Sequence, residues 1–248
     1  MPFLSPAQTR ELATFALSAD RETRGDAAGC HIRNEDDYTS NFTGGLRRIV
    51  NSNSLTGLSA TSYLLEPTIE RATGTDAVVI ITRGHQSKIA LFEAKLPRLA
   101  GSSRWDYSQT STGLSHYSDQ LERQNRLRKD FAIFEMFYSA KAFGAQPSWM
   151  QRCTSSCVWH NVAFDFAGKR SGPGPWSDQE LEALLRSQCL NIAEILTDIC
   201  ACTVGQPISM SCRGDLIAAE FLLEGEVLQI TSGEPQEIHE DWHELAAL

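Results

Sequence analysis

Two short apolar runs constrain this chain more than any other feature. Residues 76–82 read Asp-Ala-Val-Val-Ile-Ile-Thr, and residues 88–95 read Lys-Ile-Ala-Leu-Phe-Glu-Ala-Lys. Each is rich in β-branched or aromatic side chains and too short for a core helix, so both predict strands. Arg83-Gly84-His85-Gln86 between them reads as a turn, which makes the pair an antiparallel hairpin, and Pro97 ends it. A run that is apolar at both parities must bury both of its faces. A mixed sheet flanked by helices on both sides provides that cover.

The neighbouring segments supply such helices. Ser5-Pro6 is an N-cap with proline at the first helical position and predicts a helix to about residue 19, followed by a polar loop over 20–33. Asn34 caps a second helix over 34–50, with Tyr38, Phe42, Leu46 and Val50 on one face. A strand is expected over 61–69, a Ser/Thr/Gly-rich loop over 101–113, a long helix over 115–142 and a further strand over 154–166. The stretch 171–175 (Ser-Gly-Pro-Gly-Pro) reads as a linker. After it, Ser177 and Glu180 form a capping box that opens a helix expected to reach about 200. Residues 217–230 read as strand and the last acidic stretch as helix. The expected organisation is an N-terminal helix and loop (1–33), a core (34–170), and an acidic C-terminal extension packed on that core (175–248). Its fold class is α/β (α+β).

The chemistry lies at the hairpin's open end. Asp76 begins one strand, and Glu93 and Lys95 end the other, so the antiparallel turn brings the three together. Residues two apart on a strand face the same way. Charged groups ending an apolar strand are costly unless paired or bound to metal. Two carboxylates with the Ala94 carbonyl between them suit Mg²⁺, a hard ion that takes a few protein oxygens and keeps its waters. Such an ion acidifies a water and stabilises phosphate charge, and Lys95 then orients or deprotonates that water, or neutralises the phosphate.

Asp76, sixteen intervening residues and Glu93-Ala94-Lys95 resemble the PD-(D/E)XK nuclease superfamily. The family core is helix, three strands, helix, strand, the order read above for 34–166. The resemblance implies a restriction-endonuclease-like mixed β-sheet core (αβββαβ), with Asp76 and Glu93 as metal ligands and Lys95 as the catalytic lysine. It also implies an accessory acid on the first core helix, where Glu35 and Asp36 both fit, and a catalytic glutamine on the helix after the third strand, where Gln120 fits. Tyr117 lies nearby. The motif's usual proline is replaced by Thr75. The activity so implied is Mg²⁺-dependent hydrolysis of nucleic acid, DNA in the first place, with Mn²⁺ able to substitute. Defence against foreign DNA and a delivered toxin are settings that fit the class. The alternative is a catalytically silent nuclease-like fold acting as a binding or regulatory module.

Charge has to be read in parts. The chain carries a formal −9, which as an average argues against a nucleic-acid partner. From residue 174 onward there are 14 acidic residues and two basic ones, a net −12, so the first 173 residues carry +3. Arg123, Arg126, Arg128 and Lys129 fall in that first part and are candidates for phosphate contacts. The acidic third fits a basic protein partner, and a homodimer is a further expectation. The N-terminus has neither a basic start nor an apolar signal core, and no run reaches the ~20 residues of a membrane helix. A soluble cytoplasmic protein with reduced thiols is therefore expected.

Three further patterns carry weaker readings. His239-Glu-Asp-Trp-His243 spells the zinc-protease helix motif, but five residues follow it and its flanks are acidic, so a chance match in a tail is preferred. Cys153, Cys157 and His160, with Cys200, Cys202 and Cys212, have no standard zinc spacing and read as free thiols before a metal site. Trp105 and Tyr107 in the polar loop read either as base-stacking rings or as loop anchors; His116 and Tyr117 read either as stacking on a base or as approaching the metal site, with Tyr117 taken first as a core residue.

Overall fold

The computed structural model describes residues 2–64, 75–97, 105–106, 112–210, 213–221, 223 and 225–233. In chain order these form α1 (Pro6–Ala28), α2 (Glu35–Asn53), β1 (Leu58–Leu64), β2 (Ala77–Arg83), β3 (Gln86–Lys95), α3 (His116–Gln124), β4 (Ala132–Phe137), β5 (Ser156–Trp159), α4 (His160–Ala167), α5 (Asp178–Ser187), α6 (Ile192–Cys200), α7 (Gly214–Glu220) and β6 (Glu226–Ser232). The six strands make one mixed sheet in the order β1-β6-β2-β3-β4-β5. β2 pairs antiparallel with β3, whereas β2–β6 and β3–β4 are parallel.

The hairpin is central and buried on both faces, as its composition requires. Ala77, Val79, Ile81, Ala90, Phe92 and Ala94 face a core built with α1, α2 and α6. Val78, Ile80, Ile89 and Leu91 face the other side, against Phe131, Ile133 and Ile217. A second cluster on that side joins Tyr117 and Leu121 of α3 to Phe137, Val158, Trp176 and the leucines of α5. Each such aliphatic side chain contributes about 1.5–3 kcal/mol on full burial, so both layers of helices are needed. Lys88 is buried within the hairpin, and its Nζ donates to the carbonyls of Ile199 (2.6 Å) and Val204 (2.7 Å), tying the end of α6 to the sheet.

Several boundaries differ from the sequence reading, each for a tertiary reason. α1 continues nine residues past 19, because its polar side chains find buried partners. Asp20 accepts from the Tyr38 hydroxyl and from Ser155 N, each at 2.7 Å, and Arg24 donates to the Ser139 and Lys141 carbonyls. The long helix expected over 115–142 is α3 followed by a turn and β4. The run Phe131-Ala-Ile-Phe-Glu-Met-Phe137 is apolar at every parity, so periodicity did not distinguish helix from strand, and parallel pairing with β3 decided it. The strand expected over 154–166 is a short β5 that passes directly into α4. The helix expected over 177–200 is broken between α5 and α6, where Leu190 bonds reciprocally with Cys157 and Asn191 opens a new capping box. Residues 217–230 hold α7 and then β6. β1 begins at Leu58, and the part of that expected strand beyond 64 lies outside the described residues, as does the acidic stretch from 234.

The stretch read as an extension packed on the core supplies a strand of the sheet itself. β6 runs between β1 and β2, antiparallel to the first and parallel to the second. Gly225, at φ +90°, makes the approach possible: a Cβ there would overlap the Asp76 carbonyl. Among the described residues no helix is long and apolar enough to cross a membrane.

Candidate active site

The sheet's register assembles the charged residues at the hairpin's open end. Beyond the last ladder pair, Ala77 with Phe92, Asp76 stands opposite Glu93, and its N–H donates to the Phe92 carbonyl at 3.0 Å. Opposed residues share a face. Asp76, Glu93 and Lys95 therefore project on the side that carries Val78, Ile80 and Leu91. Asp76 Oδ2 accepts from Ala94 N at 2.8 Å. The Lys95 carbonyl accepts from Tyr138 N on the β4 side at 2.9 Å. Since successive backbone groups alternate edges, the Ala94 carbonyl lies on the other edge, beside Asp76.

Two helices complete the site. α2 starts here because Asn34 caps it, its Oδ1 accepting from Asp37 N at 2.7 Å. Glu35 in the first turn accepts from Leu96 N at 2.9 Å through one oxygen and lies 3.5 Å from Lys95 Nζ through the other. Asp36 is exposed and turned to solvent, so of the two acids the fold engages Glu35. α3 starts at Ser115, which caps Ser118 N at 2.8 Å and donates to Asp106 at 2.6 Å. Asp106 also accepts from Tyr117 N and Trp176 N, at 3.2 and 3.1 Å, and so fixes the direction in which α3 leaves. One turn on, Gln120 donates its Nε2 to Glu93 Oε1. The same carboxylate oxygen accepts from Lys95 Nζ at 2.5 Å.

Burial and crowding of like charge set the protonation of these groups. Burial raises Asp76 from 3.8 to about 6, against the pull of Lys95 and the Ala94 N–H. Burial, then Asp76 and Glu135, hold Glu93 well above the ordinary carboxylate range, although Lys95 opposes them. Burial alone would lower the Lys95 pKa, but Glu93, Glu35 and Asp76 outweigh it and push it up. Lys95 is therefore a fixed cation. Three carboxyl groups surround that ammonium, and this set of hard oxygen donors fits a divalent cation such as Mg²⁺ at Asp76, Glu93 and the Ala94 carbonyl, whose charge would favour their ionised forms. Beside them opens a cavity of about 70 Å³ lined by Glu35, Lys95, Trp105, Asp106, His116 and Gln120. Burial and then Lys95 lower the His116 pKa, which favours its neutral imidazole in that cavity.

Other residues singled out by sequence lie elsewhere. Trp105 does not present a stacking face: it is 4% exposed and packs edge-on against Tyr117, Phe137 and Trp176. Tyr117 belongs to the same aromatic cluster, 1% exposed. Arg123 pairs with Asp119 at 3.2 Å on α3, while Arg126, Arg128 and Lys129 are exposed in the turn that follows. Nine helical residues span about 13 Å, so that turn sits at the far end of α3 from His116. Cys157 is buried, and burial pushes its thiol well up. His160 turns to Gln124 and Glu135 rather than to any cysteine. Among the described residues no three His, Cys, Asp or Glu converge as a metal group. Tyr107, Cys212 and the 239–243 motif lie outside the described residues. Sequence reasoning missed Asp106, which carries no local pattern, and Glu135. The signal for Glu135 was a lone acid within the apolar run 131–138. No family model, curated protein or solved structure matches the chain.

Proposed function

We propose that the chain is a Mg²⁺-dependent nuclease that hydrolyses phosphodiester bonds, with DNA as its substrate. The observation that carries this reading is the meeting of Asp76, Glu93 and Lys95 on one sheet face, with Glu35 and Gln120 closing on them from two helices. In this reading Asp76, Glu93 and the Ala94 carbonyl hold Mg²⁺, which acidifies a water and stabilises charge on the phosphate when bound. Lys95 stays protonated, so it neutralises a phosphate oxygen and orients the attacking water instead of deprotonating it. Gln120 and Glu35 hold Glu93 and Lys95 in place from opposite sides. The exposed Arg126, Arg128 and Lys129 would meet substrate only several nucleotides from the scissile bond.

The test incubates the purified protein with supercoiled plasmid, linear duplex, single-stranded DNA and RNA in Mg²⁺, beside Lys95→Ala. DNA cleavage is expected, with loss in EDTA, return with Mg²⁺ or Mn²⁺, and a fall of roughly 100-fold or more in the variant. Cleavage of RNA alone would move the substrate and keep the mechanism. No cleavage of any substrate, or equal cleavage by the variant, would leave the catalytically silent binding module as the better reading.

A further inference from the structure

Behind the catalytic cavity the sheet buries polar atoms that the mechanism above does not use. Glu135 stands abreast of Glu93 in the β3–β4 register, on the same face. It is 0% exposed, and neither of its oxygens accepts a hydrogen bond. His160 Nδ1 lies 3.5 Å from Glu135 Oε1 and 3.0 Å from Gln124 Oε1. Two neutral oxygens near the carboxylate pair are also buried and unpartnered. Gln120 Oε1 is one, on the amide whose nitrogen already serves Glu93. The Tyr117 hydroxyl is the other, within electrostatic range of both Glu135 and Glu93.

The balance of these atoms matters more than their number. Both Glu135 oxygens and Gln120 Oε1 are acceptors, and only the Tyr117 hydroxyl can donate. Among the described residues Lys95 is the cation paired with Glu93, and it is shared with Glu35. A buried water brings two protons but no charge, and would leave the adjacent Glu93 and Glu135 carboxyl groups beside one shared ammonium. A small divalent cation supplies charge and accepts only oxygen ligands.

We propose that Glu93 and Glu135 hold a second, inner divalent cation between β3 and β4, with Gln120 Oε1 as a further ligand and the Tyr117 hydroxyl on its hydration shell. This cation neutralises the buried pair and fixes the Glu93 carboxylate that faces the outer site. The proposal rests on the reading of Glu93 as a metal ligand, and its test needs no cleavage.

Mn²⁺ binding to the full chain, measured by titration calorimetry and electron paramagnetic resonance, should give two ions per chain. Glu135→Gln should lose one and keep the other, and Asp76→Asn should lose the opposite one. Glu135→Met, which removes the buried charge while conserving length, provides a second folded variant with the same expected loss. Crystals soaked in Mn²⁺ should show an anomalous peak between Glu93 and Glu135. A single ion in the parent chain, an unchanged count in both Glu135 variants, or a peak at Asp76 alone overturns the inner site and spares the outer one. No binding overturns both. Two ions in a protein that cuts no nucleic acid support the inner site and remove the nuclease reading.

Discussion

Replacing Asp76 by asparagine should make the metal-free protein more stable, and only above acid pH. Burial raises the Asp76 pKa from 3.8 to about 6, so the folded chain holds this proton more tightly than the unfolded chain does. A raised carboxylate pKa stabilises the fold fully below the unfolded value, and that contribution disappears as pH climbs through about 6. The interval corresponds to roughly 3 kcal/mol of lost stability at neutral pH. Asparagine carries no charge, and its Oδ1 can still accept from Ala94 N. The variant and parent should therefore match near pH 4 and diverge by roughly 2–3 kcal/mol by pH 8, or about 4–12 °C in Tm for a chain of this size. Thermal and urea unfolding in EDTA from pH 4 to 8 measure the difference. Mg²⁺ should close the gap, since ligand at 100 times Kd adds about 2.7 kcal/mol to the parent alone. A variant less stable than the parent at pH 8 without metal, or a gap that ignores pH, would refute the argument that burial of the Asp76 carboxylate costs stability.

Three more outcomes follow from single contacts. Gly225→Ala places a Cβ against the Asp76 carbonyl at a φ of +90°, and should cost more than about 2 kcal/mol in urea unfolding while weakening Mg²⁺ binding. Glu35→Gln loses the charge facing Lys95, so cleavage should fall roughly 10- to 100-fold with unfolding midpoints nearly unchanged. Lys88→Met deprives the Ile199 and Val204 carbonyls of their donor. It should cost roughly 2 kcal/mol, with faster hydrogen exchange at the end of α6.

Much of the site was legible because its geometry is local. The turn over 83–86 fixes the pairing of β2 with β3, and that pairing sets Asp76 opposite Glu93. The two-residue period then puts Lys95 on the same face as Glu93. Gln120 was singled out by the family resemblance, and α3 places its Nε2 on Glu93. The charge split also looked different once the strands were ordered. The acidic third contributes β6, which is built into the sheet between β1 and β2.

The sequence by itself determined the caps of α1, α2 and α5, the apolar hairpin, and the face on which its charges lie. These depend on spacings of two to four residues, within which backbone geometry is nearly fixed. Only the tertiary structure decided that 131–137 is a strand, that β6 enters between β1 and β2, and that Glu35 rather than Asp36 meets Lys95. It also decided that Glu135 lies abreast of Glu93. Each of these depends on a register between segments far apart in the chain, and an apolar run or a pair of adjacent acids carries no record of which neighbour it will find.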